Sequence, residues 1–197
     1  MRNLFALATL ILVAGGLSPA FAADQSKPIE QAAPADKAEN RLDKLFADLK
    51  RERNEKAAER IAGQIWEQWF KSGSASIDLM MMWAQRAIEQ QKYDVALDFL
   101  DEVITLSPTY AEGWNRRATL HFMMSNYSKS MSDIDHTLSL EPRHFGALSG
   151  MAQILKASGK KELALKAYQQ VLDIYPMMRS AQTEVATLSE ELAGEGI

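Results

Sequence analysis

From residue 41 onward the apolar residues recur with the 3.6-residue period of amphipathic helices. Leu42, Leu45, Phe46 and Leu49 mark one helical face, and Ala58, Ile61, Ala62, Ile65 and Trp69 a second, closed by Ser72-Gly73. Farther along, Leu148, Met151, Ala152 and Leu155 stand at i, i+3, i+4 and i+7. Ser158-Gly159 then breaks the pattern, glycine being suited to the left-handed position that follows a helix. Leu163, Ala164, Ala167, Tyr168, Val171 and Leu172 carry the period through another helix. Pro176 ends it, since proline has no N–H to donate and disfavours helix at the preceding residue. Gln90-Gln91-Lys92 and Ser125-Asn126 are breaks of the same kind. Ala181, Val185, Leu188 and Leu192 predict a last helix, with Glu184, Glu190 and Glu191 turned outward. The pattern predicts an all-α chain of helix pairs.

The pairs follow a strict period. Pro108, Pro142 and Pro176 are each 34 residues from the next, which divides the chain without gaps into windows 77–110, 111–144 and 145–178. The eighth position of every window is alanine, at Ala84, Ala118 and Ala152, and the twentieth is small, at Ala96, Ser130 and Ala164. Later positions are large: Leu100, Ile134 and Tyr168, then Ile104, Leu138 and Leu172. Small residues let helices approach closely and the large ones fill the space between them. A stacked repeat cannot bury its own apolar face, so its ends need caps. Residues 179–197 are read as a capping helix and tail. Residues 41–76 are read as a degenerate N-terminal helical pair, because Lys50 stands where the alanine belongs and no proline follows.

These windows resemble tetratricopeptide (TPR) repeats, whose pattern is W-x2-L-G-x2-Y, then A-x3-F, then P. The second window has Trp114 and Pro142 but departs at Arg117, Ala118, His121, Ser130 and Ile134. The first carries Trp83, Ala84, Ala96, Leu100 and Pro108; the third carries Met151, Ala152, Leu155, Ala164, Tyr168 and Pro176. The resemblance spans 77–178, with 179–193 as its cap. It implies an all-α TPR α-solenoid of three helix pairs that holds another protein rather than catalysing a reaction. The stretches WEQWFKSGSASIDLMM, AEGWNRRATL and EPRHFGAL further resemble small exported TPR proteins of alphaproteobacteria. That likeness implies a part in cell-envelope integrity and no enzymatic role.

The first residues carry a different pattern. Arg2 precedes an apolar run from Leu4 to Leu17, and Ala20-Phe21-Ala22 supplies the small residues of a cleavage site. This is the form of a secretory signal peptide over 1–22, cut after Ala22. The run is short of the ~20 residues that cross a bilayer. The expectation is therefore a periplasmic protein with no stable membrane insertion after cleavage. Residues 23–40, with Pro28 and Pro34 among alanines and charges, read as a flexible linker.

Composition narrows the chemistry. The chain has 22 basic and 26 acidic residues, a net charge of −4, and no stripe of cations to neutralise phosphates, so nucleic acid is not an expected partner. It has no cysteine, hence no disulfide, thiolate metal site or lipid attachment through a leader cysteine. His121, His136 and His144 share no ligand spacing. Ser158-Gly159-Lys160 lacks the leading glycine of a phosphate loop. The methionines, among them Met80, Met81, Met82, Met123, Met124, Met131 and Met151, have the soft thioether of a copper(I) ligand. Met80 and Met151 nevertheless fall at core positions, and methionine commonly fills irregular cores. No catalytic residue, metal or cofactor is expected.

The resemblance places window positions 2, 5, 9, 12 and 13 on the concave face of the stack. Candidate peptide-groove residues at these positions are Met81, Gln85, Asn115, Thr119, Phe122, Gln153 and Lys156, with Arg116 added beside them at the groove edge. Arg116 is read either as a carboxylate-binding group at the groove edge or as a structural one. Some TPR proteins clamp a C-terminal carboxylate with lysine at position 5 and asparagine at position 9. Met81/Gln85, Asn115/Thr119 and Ser149/Gln153 stand there instead, which disfavours tails of that type. Arg117 falls at an apolar core position, so it is expected to pair with an acid such as Asp133 or to extend its charge to the surface. Trp66, Trp69 and Phe70 are expected to anchor the N-terminal pair onto the first repeat; exposed, they would support weak self-association.

The function this implies is a periplasmic adaptor or scaffold that binds an envelope protein or peptide and supports envelope integrity. Two alternatives stay open: a chaperone-like holder of exported clients, and a regulatory subunit of a peptidoglycan-active enzyme.

Overall fold

The computed structural model describes residues 34–194. The expected leader 1–22 with its cleavage after Ala22, residues 23–33 of the expected linker and the tail 195–197 lie outside the described residues. Nine helices fill the described chain: α1 (Pro34–Arg51), α2 (Glu55–Trp69), α3 (Ala75–Glu89), α4 (Tyr93–Leu106), α5 (Ala111–Met123), α6 (Tyr127–Leu140), α7 (Phe145–Ala157), α8 (Lys161–Ile174) and α9 (Arg179–Gly194). None of them is long and apolar enough to cross a membrane. Helix α1 starts seven residues before the boundary expected at 41, so residues 34–40 are helix and not linker. Proline suits the first helical position because its missing N–H has no partner there, and Ala, Asp, Lys and Glu follow it.

Helices α3–α4, α5–α6 and α7–α8 are the three expected pairs. Ala84, Ala118 and Ala152, with Ala96, Ser130 and Ala164, are all buried where the helices of a pair cross. Ser130 replaces the alanine without leaving a polar atom stranded, because its hydroxyl donates to the Ala118 carbonyl at 2.8 Å. The turn inside each pair is the same. Gln91, Ser125 and Gly159 are left-handed, with φ of 58°, 60° and 73°. After each, an amide reaches back five residues: Lys92 to Ala87, Asn126 to His121, Lys160 to Leu155, at 2.8, 2.8 and 2.9 Å. This is the bonding of a Schellman C-cap, and only the third repeat uses the residue type it favours.

The N-terminal pair is not where the repeat order would put it. Trp66, Trp69 and Phe70 were expected against the first repeat; Trp66 and Trp69 instead pack on the third. Phe46, Leu49, Ile65 and Trp69 share one buried cluster with Phe145, Leu148, Tyr168, Tyr175 and Leu188. Trp69 and Trp66 lie 5.0 and 5.6 Å from the Phe145 ring, centroid to centroid. Ion pairs hold the hairpin from both ends: Arg143 to Asp43 at 2.6 Å and Arg179 to Glu55 at 2.7 Å. Arg143 also lies over the Phe46 ring, 4.2 Å from its centroid. The slot exists because residue 146 is glycine; a Cβ there would sit 2.7 Å from Trp66. Helices α1 and α2 thus fold back along the stack, and the outer end of α3–α4 keeps Met82, Trp83 and Val95 exposed.

Candidate functional site

The first helices of the repeats and α9 form one face, and two clefts open on it. The first, about 150 Å³, lies between α5 and α7 with α6 as its floor. Asn115, Thr119, Phe122 and Gln153 line it, together with Ala118, Ser130, Ile134, Gly146, Ala147 and Gly150. The second, about 770 Å³, lies between α7 and α9 and is lined by Ser149, Gln153, Lys156, Tyr168, Met178, Ser180, Thr183 and Glu184. Gln153 lines both, so the two clefts adjoin at its side chain. Five of the eight groove candidates therefore line a channel made of two adjoining clefts. Lys156 does not offer a free charge within it, because its Nζ lies 2.6 Å from Glu184. Burial, and then the Glu184 charge, push the Tyr168 hydroxyl up to about 12, so it remains a phenol donor at neutral pH.

The other three candidates sit elsewhere. Met81 is half-buried in the packing of the first repeat. Gln85 donates to Glu89 at 2.9 Å and accepts from Arg116 at 2.5 Å. Arg116 is committed on its other side to Glu112 at 3.1 Å and lies 5.5 Å from the Phe70 ring centroid. Its guanidinium is a joint between α2, α3 and α5. Arg117 behaves as expected: Nε and Nη2 donate to both oxygens of Asp133 at 2.8 and 2.7 Å, and Nη1 reaches Asp101 at 2.6 Å. This fork-to-fork geometry suits guanidinium and carboxylate, and holds Arg117 firmly protonated.

Beneath the site lies a buried carboxylate that the sequence did not single out. Glu112 is 2% exposed and accepts from three donors. Asn115 Nδ2 is 2.9 Å away, Arg116 Nη2 3.1 Å and His144 Nε2 3.2 Å. His144 is fully buried and caps α7, its Nδ1 accepting from the Ala147 N–H at 3.1 Å. That bond leaves the proton on Nε2, which donates to Glu112. The Trp69 ring stacks on this imidazole at 4.0 Å and 9°. The network joins the second repeat, the third repeat and α2. Its sequence signal was faint: Glu112 and His144 stand at window positions held by Asp78 and Gly146, and by Tyr110 and Met178, in the neighbouring repeats.

No family model matches the chain. A TPR repeat-containing protein of Rhizobium etli is 56% identical over 176 residues, covering 89% of this chain and 86% of its own. Among solved structures, the first TPR of Spaghetti (RPAP3) bound to the HSP90 peptide SRMEEVD superposes with a TM-score of 0.56 at 25% identity, over 59% of this chain and 93% of that one. The Sgt2 TPR domain from Aspergillus fumigatus superposes with a TM-score of 0.57 at 14% identity, over 62% and 83%.

Proposed function

Because the chain belongs to the tetratricopeptide repeat family, we propose that it is a non-catalytic adaptor that holds an extended segment of an envelope protein in the channel between α5, α7 and α9. The observation that carries this is the channel itself. Two clefts meet at Gln153, whose side-chain amide is free of intramolecular partners. A groove already shaped before its ligand arrives loses little conformational entropy on binding. The similarity to a TPR domain with a bound peptide supports the same use of the face.

Export to the periplasm is part of this reading and is supported by the leader pattern at 1–22. N-terminal sequencing of the protein released by osmotic shock is expected to begin at Ala23; a chain retaining Met1 would remove the periplasmic half of the proposal. The binding half is tested by co-purification from intact periplasm with the wild type and with Gln153→Arg, which fills the channel. One stable partner, lost with the variant, is expected. Many unfolded clients would instead favour the chaperone-like reading, and a wall hydrolase the regulatory one. Equal capture by both forms would refute the channel as the binding site. The weak self-association of an open stack end falls, on this reading, to the exposed α3–α4 end and not to the hairpin aromatics. Sedimentation velocity over a concentration series tests it, and a single monomer species at all concentrations would remove it.

A further inference from the structure

We propose that the α5–α7 cleft recognises hydrogen-bond donors, so that its occupant is an internal extended stretch of polypeptide and not the carboxylate end of a chain. This deepens the adaptor reading and depends on it.

The argument starts from Asn115, which is 8% exposed and lines the cleft. Its amide nitrogen donates to the Glu112 carboxylate, which already takes donors from Arg116 and His144. A carboxylate only accepts, so the reversed amide would set oxygen against oxygen. The buried acid therefore fixes the amide with its oxygen turned away from Glu112. That Oδ1 has no intramolecular partner and is not sealed from solvent, in contrast to the Tyr110 hydroxyl. The two hydroxyls beside it have spent their protons as well. Thr119 donates to the Asn115 carbonyl at 3.0 Å and Ser130 to the Ala118 carbonyl at 2.8 Å. Of the polar side chains lining the cleft, Thr119 and Ser130 have only acceptor capacity left, Asn115 keeps its Oδ1 and one N–H, and Gln153 alone keeps a whole amide free. No cation lines the cleft.

A carboxylate placed here would find no cation and would lie against the lone pairs of Asn115 Oδ1 and the Thr119 hydroxyl. A peptide backbone fits, since its N–H can reach Asn115 Oδ1 and its C=O can take a bond from Gln153. The remaining wall of Ala118, Phe122, Ile134 and Ala147 is apolar. A space of ~150 Å³ admits a group about the size of benzene, which is the room left for one medium apolar side chain of the segment.

The test uses two display libraries of random peptides of equal length, one ending in a free carboxylate and one embedded between flanking segments. Each is selected against the folded mature chain and counter-selected against Thr119→Arg, an exposed position whose fold is checked by circular dichroism. Binders are expected from the embedded library, lost with Thr119→Arg. Amidating the C-terminus of the best binder as a free peptide should leave Kd unchanged. Replacing its backbone amides one at a time by esters should weaken binding about tenfold at a single position. Binders found only with free carboxylates, and lost on amidation, would overturn the donor proposal while keeping the groove. No binder sensitive to Thr119→Arg from either library would overturn the groove reading itself.

Discussion

Replacing Gly146 by alanine isolates the docking of α2 onto the third repeat. The new Cβ would lie 2.7 and 2.9 Å from Trp66 Cη2 and Cζ2, and 3.3 Å from His144 Cε1. Carbon atoms in contact prefer 3.5–4.0 Å. The indole cannot swing aside freely, because Trp69, Phe70, His144 and Phe145 surround it with ring centroids at 5.0, 5.6, 5.3 and 5.6 Å. Crowding of this kind costs roughly 1–3 kcal/mol. Alanine for glycine within a helix returns about 0.5–1 kcal/mol. The expected net loss is about 1 kcal/mol, a fall in Tm of about 2–4 °C for a chain of this size. With Trp66→Leu already in place the two closest contacts are gone and only His144 Cε1 at 3.3 Å remains, so Gly146→Ala should then be neutral or stabilise by up to about 0.5–1 kcal/mol. Urea unfolding of the four proteins, followed by far-UV circular dichroism, measures the cycle. If Gly146→Ala shifts stability by the same amount and sign in both backgrounds, the two residues are not in contact in solution. The fold-back would then be wrong.

Further expectations concern the repeats themselves. Gln91→Gly and Ser125→Gly should each raise stability by about 0.5–1 kcal/mol, because both native residues are left-handed, and thermal melts check this. Arg117→Met alone should cost about 3 kcal/mol by stranding the buried Asp133 carboxylate, whereas Arg117→Met with Asp133→Leu should recover much of it in chemical denaturation. Burial holds the His121 imidazole below its usual range, so the unfolded chain binds the extra proton first and stability falls as pH drops below about 6.5. Comparing wild type with His121→Gln across that range should show a shallower fall for the variant; equal slopes would refute this assignment.

The helix pairs and their register were legible because they rest on short-range, repeated constraints. The 34-residue proline spacing and the alanines at Ala84, Ala118 and Ala152 each report a local crossing. The partner of Arg117 was legible for a related reason, since Asp133 lies on the second helix of the same pair. What the repeat pattern hid was every contact between elements distant in sequence. Trp66 and Trp69 announce that they pack, but nothing in a window comparison says on what. Gly146 and Phe145, which receive them, look like ordinary variation at the first two positions of a repeat. The same applies to the channel. Asn115 could be placed on the face that carries the clefts, but only the Glu112 carboxylate beneath it decides which end of its amide looks outward. Arg116 went the other way: its position matched the groove edge, yet Gln85 and Glu112 occupy its donors.

The hairpin also sets a length. Helix α2 has 15 residues, about 22 Å at the usual rise. Its first residue, Glu55, holds the first residue of α9; Trp66 and Trp69 meet the start of α7; and Phe70, just past its end, lies beside Arg116 on α5. Neighbouring helices stand 8–10 Å apart, so α2 spans the two intervals between α5 and α9 with nothing to spare. A repeat inserted between them would carry Arg179 out of reach of Glu55. Solenoids grow or shrink by whole repeats because each unit touches only its neighbours; here one helix measures the stretch from the second repeat to the cap and fixes its length.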